Sequence, residues 1–176
     1  MKTTLAKTLQ KTYGWKHVEL TQFCVERGLT QGWDEERESW VVDLEALKRE
    51  LAKLEGGVLV VDGHLSHLVA PPGSLVVVLR RAPWTLFQEL TEREYPPEKV
   101  WENVEAEMVG VVLEEARQVK AVKVHEVDTT SITPQEAAQE VAQVYQGETP
   151  PQTGRVDWLT HPETLRLLVR RPCTLS

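Results

Sequence analysis

The hydrophobic positions of this chain follow two spacings that alternate along its length. Leucines recur three or four residues apart within residues 43–54, which is the spacing of one face of a helix. Residues 58–62 and 75–79 are unbroken apolar runs, typical of strands buried on both faces of a parallel sheet. The same reasoning predicts helices over residues 3–13, 21–28, 43–54, 83–92, from the double proline to about Gln118, and from 133 to about Gly147, and strands over residues 15–20, 58–62, 75–79 and 122–127. Strands that alternate with helices predict an α/β fold with a parallel sheet.

Local signals describe the segments between and around these elements. Thr133 and Glu136 have the spacing of a reciprocal capping box, which marks the start of a helix. Residues 29–43 are polar and acidic, which predicts a mobile segment. Residues 148–154, with the sequence "ETPPQTG", predict a linker, and a tail with one short amphipathic stretch follows them.

Composition and charge narrow the classes of function. The chain has 176 residues, enough for one domain with a tail, and a formal net charge of −7. That charge argues against broad, phosphate-driven binding of nucleic acid, although it allows one local basic patch. The two cysteines, Cys24 and Cys173, form neither a disulfide framework nor a metal-binding spacing. No apolar run reaches the ~18–20 residues of a membrane span, and the start of the chain has no signal-peptide core, so we expect a cytoplasmic protein with no membrane partner.

Ligands of open parallel sheets bind beyond the carboxyl ends of the strands, so residues in those positions are the first candidates for chemistry. Asp62 and His64 follow an apolar strand. An aspartate there is the usual outer partner of a nucleotide's Mg²⁺, and a histidine can orient water or transfer a proton. Lys2, Thr3 and Thr4 stand at the head of a helix, where an ammonium group and backbone N–H groups can bind phosphate and a threonine hydroxyl can bind Mg²⁺. Each signal alone is weak, because a turn and a solvated helix start explain them as well.

Two arginines are further candidates for contacts with phosphate, because a guanidinium group matches phosphate oxygens. Arg93 lies in "TEREYPPEKV", between two predicted helices. Arg37 lies in an acidic run between Trp33 and Trp40, so this segment could cover a nucleobase while Arg37 reaches a phosphate. Surface charge pairs and a solvated acidic face are the alternative interpretations.

Taken together and in order, these motifs are far more specific than any one of them. They are "KTTLAKTL", "DEERESWVVD", "VVDGHLSHL", "LRRAPWTLFQEL", "EREYPPEKVWENVEAE", "EVDTT" and "GRVDW". Over about residues 2–158 the chain resembles the archaeal adenylate kinase family, whose members are related to the nuclear adenylate kinase isoenzyme six.

The resemblance implies a P-loop nucleoside monophosphate kinase fold with three layers around a parallel sheet. It implies a broad-specificity enzyme that converts ATP and AMP to two ADP, hydrolyses ATP, uses Mg²⁺, and acts in small ribosomal subunit maturation by binding a small-subunit ribosomal protein. Carried over by motif, the implied residues are Lys2, Asp62 and His64 for catalysis, Lys2, Thr3, Thr4 and Arg93 for ATP, Arg37 for the monophosphate, and Thr3 and Asp62 for Mg²⁺. Residues 1–147 would form the core, with a monophosphate-binding segment at about 16–39 and a lid at about 92–102, and residues 148–176 would form a linker and tail.

The chain departs from this family where the family's first strand and phosphate-loop glycines should precede Lys2. Met1 stands where a glycine is expected, and a side chain there crowds the approach of phosphate. The missing strand would be central, so we expect either a broken domain or direct pairing of strands 58–62 and 75–79. We expect that the natural chain begins upstream; the alternative is a catalytically weak or inactive ribosome-assembly binding module. A third alternative is an unrelated P-loop-like scaffold that binds no nucleotide.

Overall fold

A computed structural model describes residues 1–34, 39–54 and 56–171, and it has the predicted α/β architecture. The helices are α1 (Lys2–Tyr13), α2 (Leu20–Glu26), α3 (Leu44–Ala52), α4 (Pro83–Glu92), α5 (Pro97–Val109), α6 (Val111–Gln118), α7 (Pro134–Tyr145) and α8 (Pro162–Val169). The strands are β1 (Lys16–Glu19), β2 (Thr30–Asp34), β3 (Ser39–Val42), β4 (Leu59–Asp62), β5 (Leu75–Arg80) and β6 (Lys123–Asp128). None of the helices in the described ranges is both long and apolar enough to cross a membrane.

The parallel strands form two pairs, β1 with β4 and β5 with β6. Within the described ranges, β4 is hydrogen-bonded only to β1 and β5 only to β6, so the expected direct pairing of β4 with β5 is wrong. Helix α1 joins the two pairs instead, because Leu5 and Leu9 form one apolar cluster with Val60 of β4 and with Val77 of β5. Side-chain burial against α1, and not backbone pairing, therefore holds β4 and β5 together.

Helices cover the strands on both faces, which gives three layers. Helices α1 and α7 contribute one cluster, which also includes Val77 and Leu79 of β5. Val76 and Val78 of the same strand pack on the other face against Leu113 and other residues of α6. This alternation follows the period of two that a strand imposes on its side chains. The face of β1 and β4 that points away from α1 packs against a further cluster, which α2 and α3 build.

Helix boundaries largely follow local signals in the sequence. The capping box is confirmed: the Thr133 hydroxyl accepts a hydrogen bond from Glu136 N–H, and the Glu136 carboxylate accepts one from Thr133 N–H. The single long helix expected up to Gln118 is wrong, because Gly110 separates α5 from α6. Gly110 adopts the left-handed conformation with φ of 70°, which a residue with a side chain rarely adopts, and its N–H bonds to Ala106 and Glu107.

The segment predicted to be mobile, residues 29–43, contains an antiparallel strand pair in its described part. Thr30 pairs with Val42, and Leu29 and Val42 both pack against the α2–α3 cluster. Composition did not reveal these strands, because the acidic run dominates it, whereas the apolar residues that pack lie at the two ends of the segment. The mobility of the segment stays a prediction. Arg37 lies outside the described residues.

The C-terminal residues pack closely on the rest of the protein. Trp158 is 6 % exposed, and Leu167 of α8 joins Leu90 and Val100 in a cluster with α4 and α5. Residues 148–154 contain no helix or strand. The division into a core of residues 1–147 and a tail of 148–176 stays a prediction.

Candidate active site

The first turn of α1 meets the carboxyl end of β4, and this junction brings four of the predicted residues together. Thr3 Oγ1 donates a hydrogen bond of 2.7 Å to Asp62 Oδ2. Lys2 Nζ lies 3.2 Å from Nδ1 and 3.3 Å from Nε2 of His64. Residues some sixty positions apart in the chain therefore form one contiguous polar site at the edge of the sheet where ligands of parallel sheets bind.

The electrostatics of this junction favour an anion. The pKa of Lys2 is lowered, first because the surrounding protein removes water from the ammonium group, while the Asp62 carboxylate opposes that shift. The pKa of His64 is lowered from 6.5 by the same loss of water and then by the charge of Lys2, so its imidazole is neutral at pH 7. A neutral ring nitrogen can accept a hydrogen from the Lys2 ammonium, which keeps the cation in place.

Two arginines add positive charge at the start of α1. The pKa of the Met1 amine is lowered, first by burial and next by Arg93, with smaller contributions from Lys2 and Arg81 and with Glu89 opposing them. The positive charge of Arg93, at the end of α4, therefore acts on the start of α1 where Lys2 lies. Arg81, which sequence reasoning did not assign to the site, also pairs with Glu89 and donates to the backbone carbonyl of Thr129.

The backbone of α1 supplies further donors. The first helical hydrogen bond in α1 runs from Leu5 N–H to the Met1 carbonyl, at 2.8 Å. The N–H groups of Lys2, Thr3 and Thr4 precede it and have no carbonyl partner one turn back in the helix, which is the arrangement that binds phosphate at helix N-termini. Thr3 and Thr4 also line a shallow groove of about 520 Å³ that runs along α1 to Thr12, away from Lys2, Asp62 and His64.

Asp62 has a second partner that the sequence did not reveal. His17 Nε2 lies 2.6 Å from Asp62 Oδ1, and each of the two side chains is 9 % exposed. His17 is in β1, and only the pairing of β1 with β4 places it beside Asp62. A histidine within a four-residue strand carries no motif, so no sequence signal would have found it.

The donor set at this junction fits a magnesium ion held jointly with a nucleotide. Asp62 offers a carboxylate and Thr3 a hydroxyl, and hard oxygen donors of this kind are what Mg²⁺ prefers. In the part of the chain that the structure describes, three or more His, Cys, Asp or Glu side chains nowhere converge as a metal-binding group. One carboxylate plus one hydroxyl is too few for a protein-only site, but Mg²⁺ bound with phosphates and water needs no more.

Not every polar residue at the carboxyl end of a strand belongs to the site. Arg80 is 3 % exposed and binds Glu107 and Glu126, so its role is structural. Arg37, the residue assigned to the monophosphate, lies outside the described residues. The roles assigned to Lys2, Thr3, Thr4, Asp62, His64 and Arg93 stay predictions, now with the geometry above.

Comparisons with known proteins identify a family and several relatives of this chain. A family described as "AAA domain" matches residues 2–110. A "Putative adenylate kinase" of Pyrococcus furiosus is 40 % identical over 157 residues, which are 89 % of this chain and 84 % of that protein. Proteins of the same name from Thermococcus gammatolerans (40 % over 158 residues, 89 % and 86 %) and Saccharolobus solfataricus (34 % over 168 residues, 95 % and 86 %) are also similar.

Proposed function

This chain belongs to the archaeal adenylate kinase family, a family of phosphotransferases with the P-loop α/β fold, and on that basis we propose that it transfers the terminal phosphoryl group of ATP to AMP. An oxygen of the AMP phosphate forms a bond to the γ-phosphorus, the bond from that phosphorus to the β-phosphate oxygen breaks, and two ADP result. The observation that carries the proposal is the convergence of Lys2, Thr3 and Asp62 at the head of α1. We also propose a cytoplasmic location, where both nucleotides are available.

The side chains divide the work of positioning and charge neutralisation, which is most of what phosphoryl transfer needs. Lys2 binds the β- and γ-phosphates and offsets the charge that develops between them. The N–H groups of Thr3 and Thr4 bind phosphate oxygens at the helix start. Neutral His64 orients Lys2 by accepting its hydrogen.

Arg93 and the metal-binding pair complete the ATP half of the site. Arg93 extends from the end of α4 toward the phosphates, and residues 92–102 around it act as the lid. Thr3 and Asp62 would hold Mg²⁺, Thr3 through its hydroxyl and Asp62 through water. When bound, Mg²⁺ neutralises charge on the β- and γ-phosphates. Arg37, in the segment at about 16–39, would bind the phosphate of AMP.

An assay of product stoichiometry tests this function. Phosphorus NMR of the protein with Mg²⁺, ATP and AMP should show two ADP formed for each ATP consumed without release of inorganic phosphate. Asp62→Asn should lower kcat about 10²–10³-fold, because it removes the negative charge on the metal side of the site. Glu45→Gln is the matched control, since Glu45 is an exposed carboxylate on α3 that pairs with Lys48 far from the site in sequence and fold, and it should keep full activity. A folded wild-type protein that forms no ADP from ATP and AMP would refute the proposal.

ATP hydrolysis is a side reaction that we also propose for this site. If water replaces AMP as the acceptor, the same positioning releases ADP and inorganic phosphate. Wild-type protein given ATP without AMP should therefore release phosphate slowly, and AMP should suppress that release by competing as the acceptor.

The resemblance leaves a second candidate, a ribosome-assembly binding module with weak or lost kinase chemistry. Thermal unfolding separates the candidates: a competent kinase is stabilised more by two adenosines linked through five phosphates than by ATP alone. Co-purification with a small-subunit ribosomal protein, together with no shift from the linked nucleotide, would support the second candidate.

A further inference from the structure

We infer that His17 is a positioning residue that holds the Asp62 carboxylate in the orientation needed for Mg²⁺-dependent phosphate binding; this inference rests on the proposed function. His17 does not face the substrate directly. It acts through Asp62, from a strand that sequence motifs do not associate with the site.

The contact between the two side chains is short and sheltered from water. His17 Nε2 lies 2.6 Å from Asp62 Oδ1, and both side chains are 9 % exposed. A carboxylate oxygen can only accept a hydrogen bond, so the hydrogen must be on Nε2 of His17. A charge-assisted bond of this length is among the stronger hydrogen bonds of a protein interior.

The sheet register builds this contact. In the parallel pair of β1 and β4, His17 is opposite Val60, and Glu19 is opposite Asp62. Val60 and Asp62 are two residues apart and so share one face of β4, and His17, opposite Val60, lies on that same face. Val60 packs in the cluster formed with α1, so this is the face that α1 covers and from which Thr3 reaches Asp62.

Two elements therefore hold the two carboxylate oxygens separately. His17 of β1 binds Oδ1, and Thr3 of α1 binds Oδ2 at 2.7 Å. Rotation of the carboxylate would break at least one of these bonds. A threonine oxygen that ligates a cation can still donate its hydrogen to Asp62, so the bond from Thr3 is compatible with metal binding, while His17 keeps the opposite oxygen in place.

Outer partners of this kind orient the groups that bind metals, and their loss typically lowers metal affinity or activity about 10–100-fold. Two variants separate the hydrogen bond from the volume of the ring. His17→Leu keeps a buried side chain of similar size without a donor. His17→Gln places an amide N–H near the position of Nε2 and restores the donor.

The experiment measures ATP binding by calorimetry across a Mg²⁺ titration, in parallel with turnover. His17→Leu should raise the Mg²⁺ concentration for half-maximal ATP binding about 10–100-fold, and His17→Gln should return it to within about threefold of wild type. ATP affinity without Mg²⁺ should change less than about twofold in both variants. Combined with Asp62→Asn, His17→Leu should have no additional effect, because it acts through Asp62.

Nitrogen-15 NMR of the nucleotide-free protein tests the hydrogen bond itself. The His17 ring should carry its hydrogen on Nε2 in wild type. A ring with hydrogen on Nδ1 alone would overturn the inference whatever the nucleotide data show.

The remaining outcomes separate this inference from the proposed function. Wild-type protein that binds no ATP at any Mg²⁺ concentration overturns both together. A kinase-active wild type with an unchanged Mg²⁺ dependence in His17→Leu overturns the role of His17 alone. Equal weakening in both variants, with and without Mg²⁺, shows a structural role only and also overturns it.

Discussion

Replacing Arg80 with methionine should destabilise the protein severely, although Arg80 is outside the proposed site. Arg80 Nε donates to Glu107 Oε1 at 2.7 Å, its Nη2 donates to the Glu107 carbonyl at 2.9 Å, and Nη1 pairs with Glu126. Arg80 is 3 % exposed and Glu126 is 0 % exposed. Methionine fills part of the space and leaves Glu126 as a buried charge without its cation.

The expected loss is large relative to the stability of a domain. Breaking a buried pair by removing one partner costs about 3–5 kcal/mol, and a whole domain has only about 5–15 kcal/mol. With a urea dependence of about 2 kcal/mol per molar, the unfolding midpoint should fall by about 2 M. Tryptophan fluorescence is a direct probe, because Trp158 Nε1 donates to Glu107 Oε1 at 2.9 Å within the same network.

A double variant tests whether the uncompensated charge is the cause. Glu126→Gln removes that charge and keeps an oxygen that can accept from Arg155 N–H, which donates to Glu126 Oε2 at 2.7 Å. In the Arg80→Met background it should restore at least about 1 kcal/mol. A cost of Arg80→Met below about 1 kcal/mol would refute this explanation, and so would a double variant that is no more stable than the single one. Either result would mean that an uncompensated charge on Glu126 does not cause the loss of stability.

Three other perturbations test the packing and the site. Burial raises the pKa of the Glu107 carboxyl above 4.5, so folding favours its protonated form. The resulting contribution to the free energy of unfolding is complete below about pH 4.5 and is lost as pH rises through the raised pKa. Urea unfolding at a series of pH values should show this loss in the wild type, and Glu107→Gln should remove it. Gly110→Ala should lower the unfolding free energy by about 1–2 kcal/mol, measured by urea unfolding, because φ is 70°, and a neutral result would contradict the assigned conformation. Lys2→Met should weaken ATP binding, measured by calorimetry, and lower kcat about 10²–10³-fold with an unchanged unfolding midpoint; retention of both would remove Lys2 from the site.

Local chemistry in the sequence was sufficient to predict most elements. Helix α4 begins at Pro83 and ends at Glu92 as predicted, because proline suits the first turn of a helix and the spacing of apolar residues continues to its end. The capping box at Thr133 needs only residues three positions apart. Such signals involve residues that are close together in the chain, so they can be recognised in the sequence without knowledge of the tertiary contacts.

Competition between local signals caused the errors in the fold. Hydrophobic spacing continues across Gly110, so periodicity alone predicts one helix where the left-handed backbone makes two. In residues 29–43, composition pointed to a mobile segment, yet Val42 packs against the α2–α3 cluster. In the first case a local glycine overrides the periodicity, and in the second the packing of apolar end residues overrides the composition.

The site shows the same boundary between sequence and tertiary structure. The sequence is sufficient to identify Lys2, Thr3, Asp62 and His64 as residue types suited to phosphate and Mg²⁺, because their chemistry and their places beside a strand or helix end are local properties. The sequence does not show that Thr3 and His17 bind opposite oxygens of Asp62, because this contact forms only in the folded protein. That arrangement depends on the pairing of β1 with β4 and on the packing of α1 across them, since hydrogen bonds between residues 45 or 59 positions apart exist only once those elements are in register.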